Sequence, residues 1–369
     1  MMWAGMRILI ALLVLAMRCA HAQPDLSRAI PIGPESGHVM ISAVAVSPKS
    51  GTVWVIRDPD VLGRLDADGR NWRAVPIAAP DGSRMFLGHF LQVATNGGVY
   101  LAGQTGEQPW LIKIAESGQT AFIRPIDIQG LHPMGLKPDP DGTWTIFGDG
   151  WSGACVARID ENGRKIWMRT FPKEKLATIF LGGGVLKDGS SILAGNIWDS
   201  RQGKIGMGLG STMLVKLNRQ GVTVAEKVFP GRNAVLAQAE DGQIILIDDP
   251  QSYPAIGELL KRGTEWPMRM QAWSEELRLL WTAAMPGLSA DLLPPEVLPA
   301  PGSGVIVLSN GFFAKPALAR YDAAGKQLWV SHPGIGFEVL GGESGRFFLA
   351  QSGPDGGMLT RFEEQGPKR

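Results

Sequence analysis

Apolar and polar positions alternate along this chain in short runs, and the runs return at a regular interval. One unit reads apolar, any, basic, apolar, polar, any, any, glycine. It begins at Leu62, Leu111, Val156, Leu214, Met270, Leu318 and Leu359. The third position is Arg64, Lys113, Arg158, Lys216, Ala272, Arg320 and Arg361, and the eighth is Gly69, Gly118, Gly163, Gly221, Leu277, Gly325 and Gly366. Alternation of period two predicts a half-buried strand, and the glycine supplies the tight turn to the next one. That next run often carries tryptophan: Trp72, Trp167, Trp281, Trp329. A second hairpin precedes each unit. Its turns are Lys49-Ser50-Gly51, Asn96-Gly97-Gly98, Asp141-Gly142, Asp188-Gly189, Asp241-Gly242, Ser303-Gly304 and Ser344-Gly345, each followed by a β-rich run. Asn-Gly and Asp-Gly between such runs are strong hairpin signals. No long helical periodicity competes; Leu277–Ala284 has a helix-like stretch that also fits the repeat.

Two hairpins per repeat and seven repeats predict an all-β, seven-bladed β-propeller of four-stranded antiparallel blades. The seventh repeat ends without a fourth strand. Arg28-Ala29-Ile30-Pro31-Ile32 echoes the fourth strand of blade one, Arg73-Ala74-Val75-Pro76-Ile77. Residues 27–32 are therefore expected to close the ring as the outer strand of blade seven, leaving no blade incomplete.

The runs from Ala157 to Trp167 and from Tyr321 to Trp329 resemble the tryptophan-docking repeat of quinoprotein-type (PQQ-like) bacterial propellers. All seven repeats share the likeness weakly, these two well. They depart from that family, which usually has threonine before the glycine and a longer turn; its dehydrogenases also tend to have eight blades. The resemblance implies the fold and an exported bacterial setting, and it is the main ground for expecting a quinone-dependent oxidoreductase.

The first 22 residues change the picture of where the chain works. Arg7 precedes an apolar run, Ile8–Met17, and a small-residue site follows at Ala20-His21-Ala22. This is the form of a signal peptide cleaved before Gln23; a spanning helix needs about 20 apolar residues. The expected arrangement is residues 1–22 as signal peptide and 23–369 as one propeller domain, periplasmic or secreted, with no membrane span after cleavage. Removing Arg7 and Arg18 leaves 34 basic against 35 acidic residues, a net charge of −1. No basic footprint for nucleic acid results. Cys155 alone remains after cleavage, within an apolar run, and reads as a small buried hydrophobe. The 48 glycines and 26 prolines agree with many turns.

Candidate chemistry is sparse. Connections from first to second and from third to fourth strands share one face and are short. Those from second to third strand and between blades share the other, here called the top. Two of these are long: Trp198–Ser211 in blade four and Pro250–Pro267 in blade five. Insertions on one face of a repeat scaffold often mark its binding face. Trp151, Trp198, Tyr253, Trp266, Phe312 and Phe313 lie in or beside this sector, near Asp149, Asn196, Asp199 and Arg201; Trp151, Trp198, Tyr253, Trp266, Asp149 and Asn196 are the candidate ligand-binding residues. Aromatic faces beside such polar groups suit a sugar or a peptide segment, and the same rings also suit pinning long loops. His38, His89, His132 and His332 are each expected just before a first strand and are the weak catalytic candidates, since imidazoles converging on one face serve as acid, base or metal ligand. The residues leaving the second strands, Asp58, Gln104, Asp149, Asn196, Asp249, Asn310 and Ser352, form an expected polar ring, which turn formation alone also explains. The basic third positions are expected to pair two residues along their own strand, Arg64 with Asp66, Arg158 with Asp160, Arg320 with Asp322 and Arg361 with Glu363. No metal site and no cofactor is required by the sequence. An exported module binding a carbohydrate or protein segment on the top face is the leading expectation. A lyase or hydrolase using the histidine arc, with or without a metal, is the alternative.

Overall fold

A computed structural model describes residues 29–32, 39–58, 60–94, 96–150, 152–172, 177–198, 210–250, 267–289, 294–309, 316–332, 338–343, 345–352 and 357–363. These form seven four-stranded antiparallel sheets. Blade one comprises β2 (Ile41–Val46), β3 (Val53–Arg57), β4 (Val61–Leu65) and β5 (Arg73–Val75), in that order from the axis outward. Blade two begins with β6 (Phe86–Val93) and β7 (Val99–Thr105) and ends at Pro125. Blade three is β10 (Leu131–Pro138), β11 (Trp144–Gly150), β12 (Ala154–Ile159) and β13 (Lys165–Phe171). Blade four is β14 (Ala177–Val185), β15 (Ser191–Trp198), β16 (Ser211–Leu217) and β17 (Thr223–Pro230). Blade five is β18 (Arg232–Gln238), β19 (Ile244–Asp249), β20 (Pro267–Trp273) and β21 (Leu279–Ser289). Blade six runs from Glu296 to Ser331. Blade seven joins β26 (Glu338–Glu343), β27 (Arg346–Gln351) and β28 (Gly357–Glu363) to β1 (Ala29–Ile32). The helix-like stretch from Leu277 is turn and strand.

Ring closure follows the echo seen in the sequence. β1 pairs antiparallel with β28, Ala29 opposite Thr360 and Ile32 opposite Gly357. Residues 27 and 28 lie outside the described residues. The innermost strands of all successive blades touch, including β26 with β2. Seven apolar clusters fill the seven seams: Val55, Leu65, Phe348 and Leu359 join blades seven and one, for example, and Ile245, Ile247, Val305 and Tyr321 join five and six. Each blade thus buries its two faces against two neighbours, which is why alternate positions on both sides of the inner strands are apolar.

Among the described residues, the turn of the repeat unit recurs in six blades. The fifth-position residue accepts the N–H three residues on and donates to the carbonyl four on, as at Asp160 with Gly163 and Arg164, both 3.0 Å. Its side chain tightens the same turn: Asp160 Oδ1 accepts the N–H groups of Asn162 (2.8 Å) and Arg164 (2.9 Å). The eighth residue needs a left-handed backbone, φ 80° at Gly163. Leu277 holds that position at φ 56° with its side chain buried in the seam of blades four and five.

This turn corrects the expected pairing along the strand. Asp66, Asp160 and Asp322 are occupied by their own turn amides. The basic third residue reaches elsewhere. Arg158, almost fully buried, pairs with Asp139 (3.3 Å) and Asp141 (3.0 Å) and donates to the carbonyl of Arg219 in blade four (3.1 Å). Arg320 donates to the carbonyls of Tyr321 and Pro301, and Arg361 pairs with Asp68 of blade one (2.7 Å). Arg158 and Arg361 thus reach across a seam to the next blade while Arg320 bonds within blade six, since a buried guanidinium must gather acceptors from whatever surrounds it. The tryptophans act similarly. Trp167 lies over Gly221 and donates to the carbonyl of Arg219 (3.0 Å), Trp281 lies over Gly325, and Trp329 joins the seam with Phe347 and Phe362. Trp72 instead covers Gly63 of its own blade.

Candidate functional site

The long connections leave the same end of adjacent blades: residues 199–210 between β15 and β16, and 250–266 between β19 and β20. Their feet meet in a buried ion pair. Asp248, fully buried at the end of β19, accepts from Arg269 Nε (2.9 Å) and Nη2 (2.5 Å) at the start of β20, and from Thr212 Oγ1 (3.2 Å) at the start of β16. Arg269 also donates to the carbonyl of Pro230 (3.0 Å). Burial raises the Asp248 carboxyl above its ordinary range, and the guanidinium and Thr212 hydroxyl work against that rise. On the opposite face of β19, Asp249 accepts from Arg232 Nε at 3.0 Å. Adjacent carboxylates thus hold two arginines at the base of one sector. The sequence reading passed over Asp248 and Arg269; their signal was two successive acids closing an otherwise apolar strand just before an insertion.

The polar ring is mostly spent on backbone. Asp58 Oδ1 accepts the N–H of Met40 (3.1 Å). Asn196 Oδ1 accepts that of Ala234 in the next blade (3.2 Å), and Ser352 Oγ that of Ile41 across the closing seam (2.9 Å). Asp249 holds Arg232. Asn310 lies outside the described residues. These are the turn and seam roles that short polar side chains fill. Asn196 is accordingly buried at the seam.

Gln104 and Asp149 differ. Gln104 Nε2 donates to the Gly106 carbonyl (2.8 Å) and lies 3.3 Å from His132 Nδ1 in the next blade. His132 and Asp149 are directly opposite on β10 and β11. Asp149 accepts the N–H of Gly150 (2.9 Å). Its carboxyl is raised from the ordinary value by burial, with the Gly150 N–H and His132 opposing. The same environment pushes the Cys155 thiol up to about 12, through burial first and the Asp149 charge second, consistent with an inert buried cysteine. His132 is exposed, so blades two and three present an imidazole beside a half-buried carboxyl.

The histidine arc is placed only in part. His132 lies within β10 and His89 within β6, not ahead of them; the side chain of His89 is not described. His332 follows the outer strand of blade six and is exposed. His38, Trp151, Tyr253, Trp266, Asp199, Arg201, Phe312 and Phe313 lie outside the described residues, as does the side chain of Trp198. Among the described residues, no group of three or more His, Cys, Asp or Glu is arranged to hold a metal ion, and no helix is long and apolar enough to cross a membrane. Met40 and Phe86, 39% and 48% exposed, stand at the upper ends of blades one and two. Six further exposed large apolar side chains, among them Ile166, Val224, Val228 and Leu280, fall on the outer rim of blades three to five.

Solved structures share this architecture. The β-propeller domain of Cps50 (Swd1) from Myceliophteria thermophila aligns over 92% of this chain and 100% of its own with a TM-score of 0.59 at 12% identity. The propeller of Dos1 aligns over 90% and 82% with a TM-score of 0.56 at 10% identity. The likeness is one of fold. The dihydro-heme d1 dehydrogenase NirN, in complex with DHE, matches over 79% of this chain and 56% of its own, with a TM-score of 0.49 and 16% identity. No family model and no curated protein matches the chain, so the resemblance to quinoprotein-type repeats reaches the propeller fold and no further.

Proposed function

We propose that this propeller is an exported binding or scaffold module that recognises a carbohydrate or protein segment on its top face, in the sector of blades three to six. The observation that carries the reading is the Asp248–Arg269 pair, which fastens the feet of both long connections to one rigid base. A buried, multiply bonded charge pair is a costly way to hold two loop ends, and sites on rigid supports recognise ligands with less ordering on binding. The sequence places Trp198 and Trp266 at these connections, and aromatic rings are suited to a sugar ring or a peptide side chain. Export rests on the amino-terminal signal pattern.

The test is a glycan and peptide array probed with the chain from residue 23, followed by calorimetry on any hit. Trp198→Ala and Trp266→Ala are expected to weaken binding at least tenfold while leaving the melting temperature near that of the parent. Unchanged affinity in a folded double variant would remove the reading.

The second reading, an acid–base enzyme, is supported by His132 beside the half-buried Asp149. A carboxyl whose pKa burial raises, set next to an imidazole, is an arrangement general acid–base chemistry uses. Loss of a turnover detected on a hydrolase or lyase panel in both His132→Ala and Asp149→Asn is its expected signature.

A further inference from the structure

The upper end of blade one holds a cluster that the binding sector does not use. β2 and β3 pair with Ile41 opposite Arg57 and Ala43 opposite Ile56, so Ser42 is the extra residue of a bulge beside Arg57. Bulges re-aim side chains and recur beside functional sites. The Arg57 side chain is 12% exposed. Its Nε lies 2.9 Å from Asp58 Oδ2, off the line of a hydrogen bond, and its guanidinium stands 5.3 Å from the ring centre of Trp72. Arg57 Nε and Nη1 and the Ser42 hydroxyl are sealed from solvent and find no hydrogen-bond partner among the described residues. Asp58 itself sits at φ 48°, an unfavourable backbone for a residue with a Cβ. It is fixed there by two bonds with Met40: its N–H donates to the Met40 carbonyl (2.7 Å) and its Oδ1 accepts the Met40 N–H.

Buried donors are almost always satisfied, so orphaned ones call for an absent acceptor. Strained backbone held by its surroundings tends to mark a binding position. Elsewhere in the ring a buried arginine collects its acceptors from the protein, as Arg158 does from two aspartates and two carbonyls. Arg57 has one carboxylate, poorly aimed, and two idle donors. We propose that Arg57 and Ser42 form a subsite for a ligand carboxylate at the top of blade one. Nη1 lies on a different guanidinium edge from Nε, so the ligand carboxylate accepts from Nη1 and from the serine hydroxyl while Nε stays beside Asp58. Trp72 backs the guanidinium, and Met40 offers apolar surface to the rest of the ligand. The Asp58 carboxylate disfavours a doubly charged oxyanion, which selects a singly charged carboxylate over phosphate. This site is separate from the sector of blades three to six, and its fate is independent of that reading.

The experiment uses the whole exported chain labelled with nitrogen-15, with the Arg57 Nε–H resonance assigned by its absence in Arg57→Lys. Acetate is titrated at constant ionic strength against chloride, with phosphate as a third arm. Acetate is expected to shift the Arg57 signal saturably in the millimolar range. Chloride should leave it in place, and Ser42→Ala should raise the midpoint at least fivefold without altering the melting temperature. Equal shifts with chloride, no saturation with acetate, or a lower midpoint for phosphate would each overturn the assignment.

Discussion

Leu277 shows how one residue can break a pattern and keep the structure. It occupies the turn position that glycine fills in neighbouring blades, at φ 56°, and is 1% exposed among Leu186, Leu214, Leu246 and Trp273. A left-handed backbone costs a non-glycine residue about 1–2 kcal/mol, while burying a leucine contributes about 2–3 kcal/mol. Packing wins. Both Leu277→Gly and Leu277→Ala should therefore lower stability, but glycine less than alanine, because it alone relieves the backbone. Urea denaturation checks the order; an alanine variant more stable than the glycine one would contradict it. Asp149 makes a prediction about pH. Burial raises its folded carboxyl above the unfolded value, so its contribution to stability is intact below the unfolded pKa and is lost as pH rises through the folded one. Asp149→Asn should raise the melting temperature at pH 7, and the gain should vanish at pH 3. The same gain at both would show that burial of the charge is not the cause.

Among elements, β19 carries the heaviest electrostatic load. Removing Asp248 by Asp248→Ala would leave Arg269 unpaired beneath the two connections, and breaking a buried pair costs about 3–5 kcal/mol. Arg269 is 23% exposed, which places the expectation at the lower end. The pair Arg278–Glu276 on the neighbouring hairpin is fully in solvent, where an ion pair is screened and its loss should be far smaller. Chemical denaturation of Asp248→Ala and Glu276→Ala measures both, and comparable losses would refute the assignment of Asp248 as an anchor. The first-to-second strand hairpins of seven blades and the third-to-fourth hairpins of six were legible from glycine and alternation, because local backbone geometry writes itself into neighbouring residues. The partners of Arg158 were not. Asp160 is nearer in sequence, but its carboxylate is held by turn amides; Asp139 and Asp141 come from the first hairpin of the same blade, and the Arg219 carbonyl arrives only when blade four packs against blade three.

For the molecule as a whole, closure is the decisive feature. β1 covers β28 and Ile32 enters the seam between blades seven and one. Deleting residues 29–32 should lower the melting temperature by several degrees and expose β28 to hydrogen exchange, with blades three to five affected least. An unchanged melting temperature would mean that the ring closes without β1. The upper face carries distinct stations: Arg57 with Ser42 on blade one, His132 with Asp149 on blade three, and the anchored connections of blades four and five.

The sequence by itself determined the number of blades, their hairpins and the strand that closes the ring. These follow from a repeat whose information is local: alternation chooses strand, glycine chooses turn, and one terminal echo completes the last sheet. Tertiary structure decided what the polar residues do. Asn196, Asp58 and Ser352 looked like one ring of acceptors and became ties to backbone amides. Asp248 gained its two partners only from strands that meet after folding. Arg57, one basic residue among many in the sequence, was left with two donors that make no hydrogen bond among the described residues. A side chain's chemistry depends on what burial removes and what neighbours restore, and neighbours across a blade seam are separated by tens of residues along the chain.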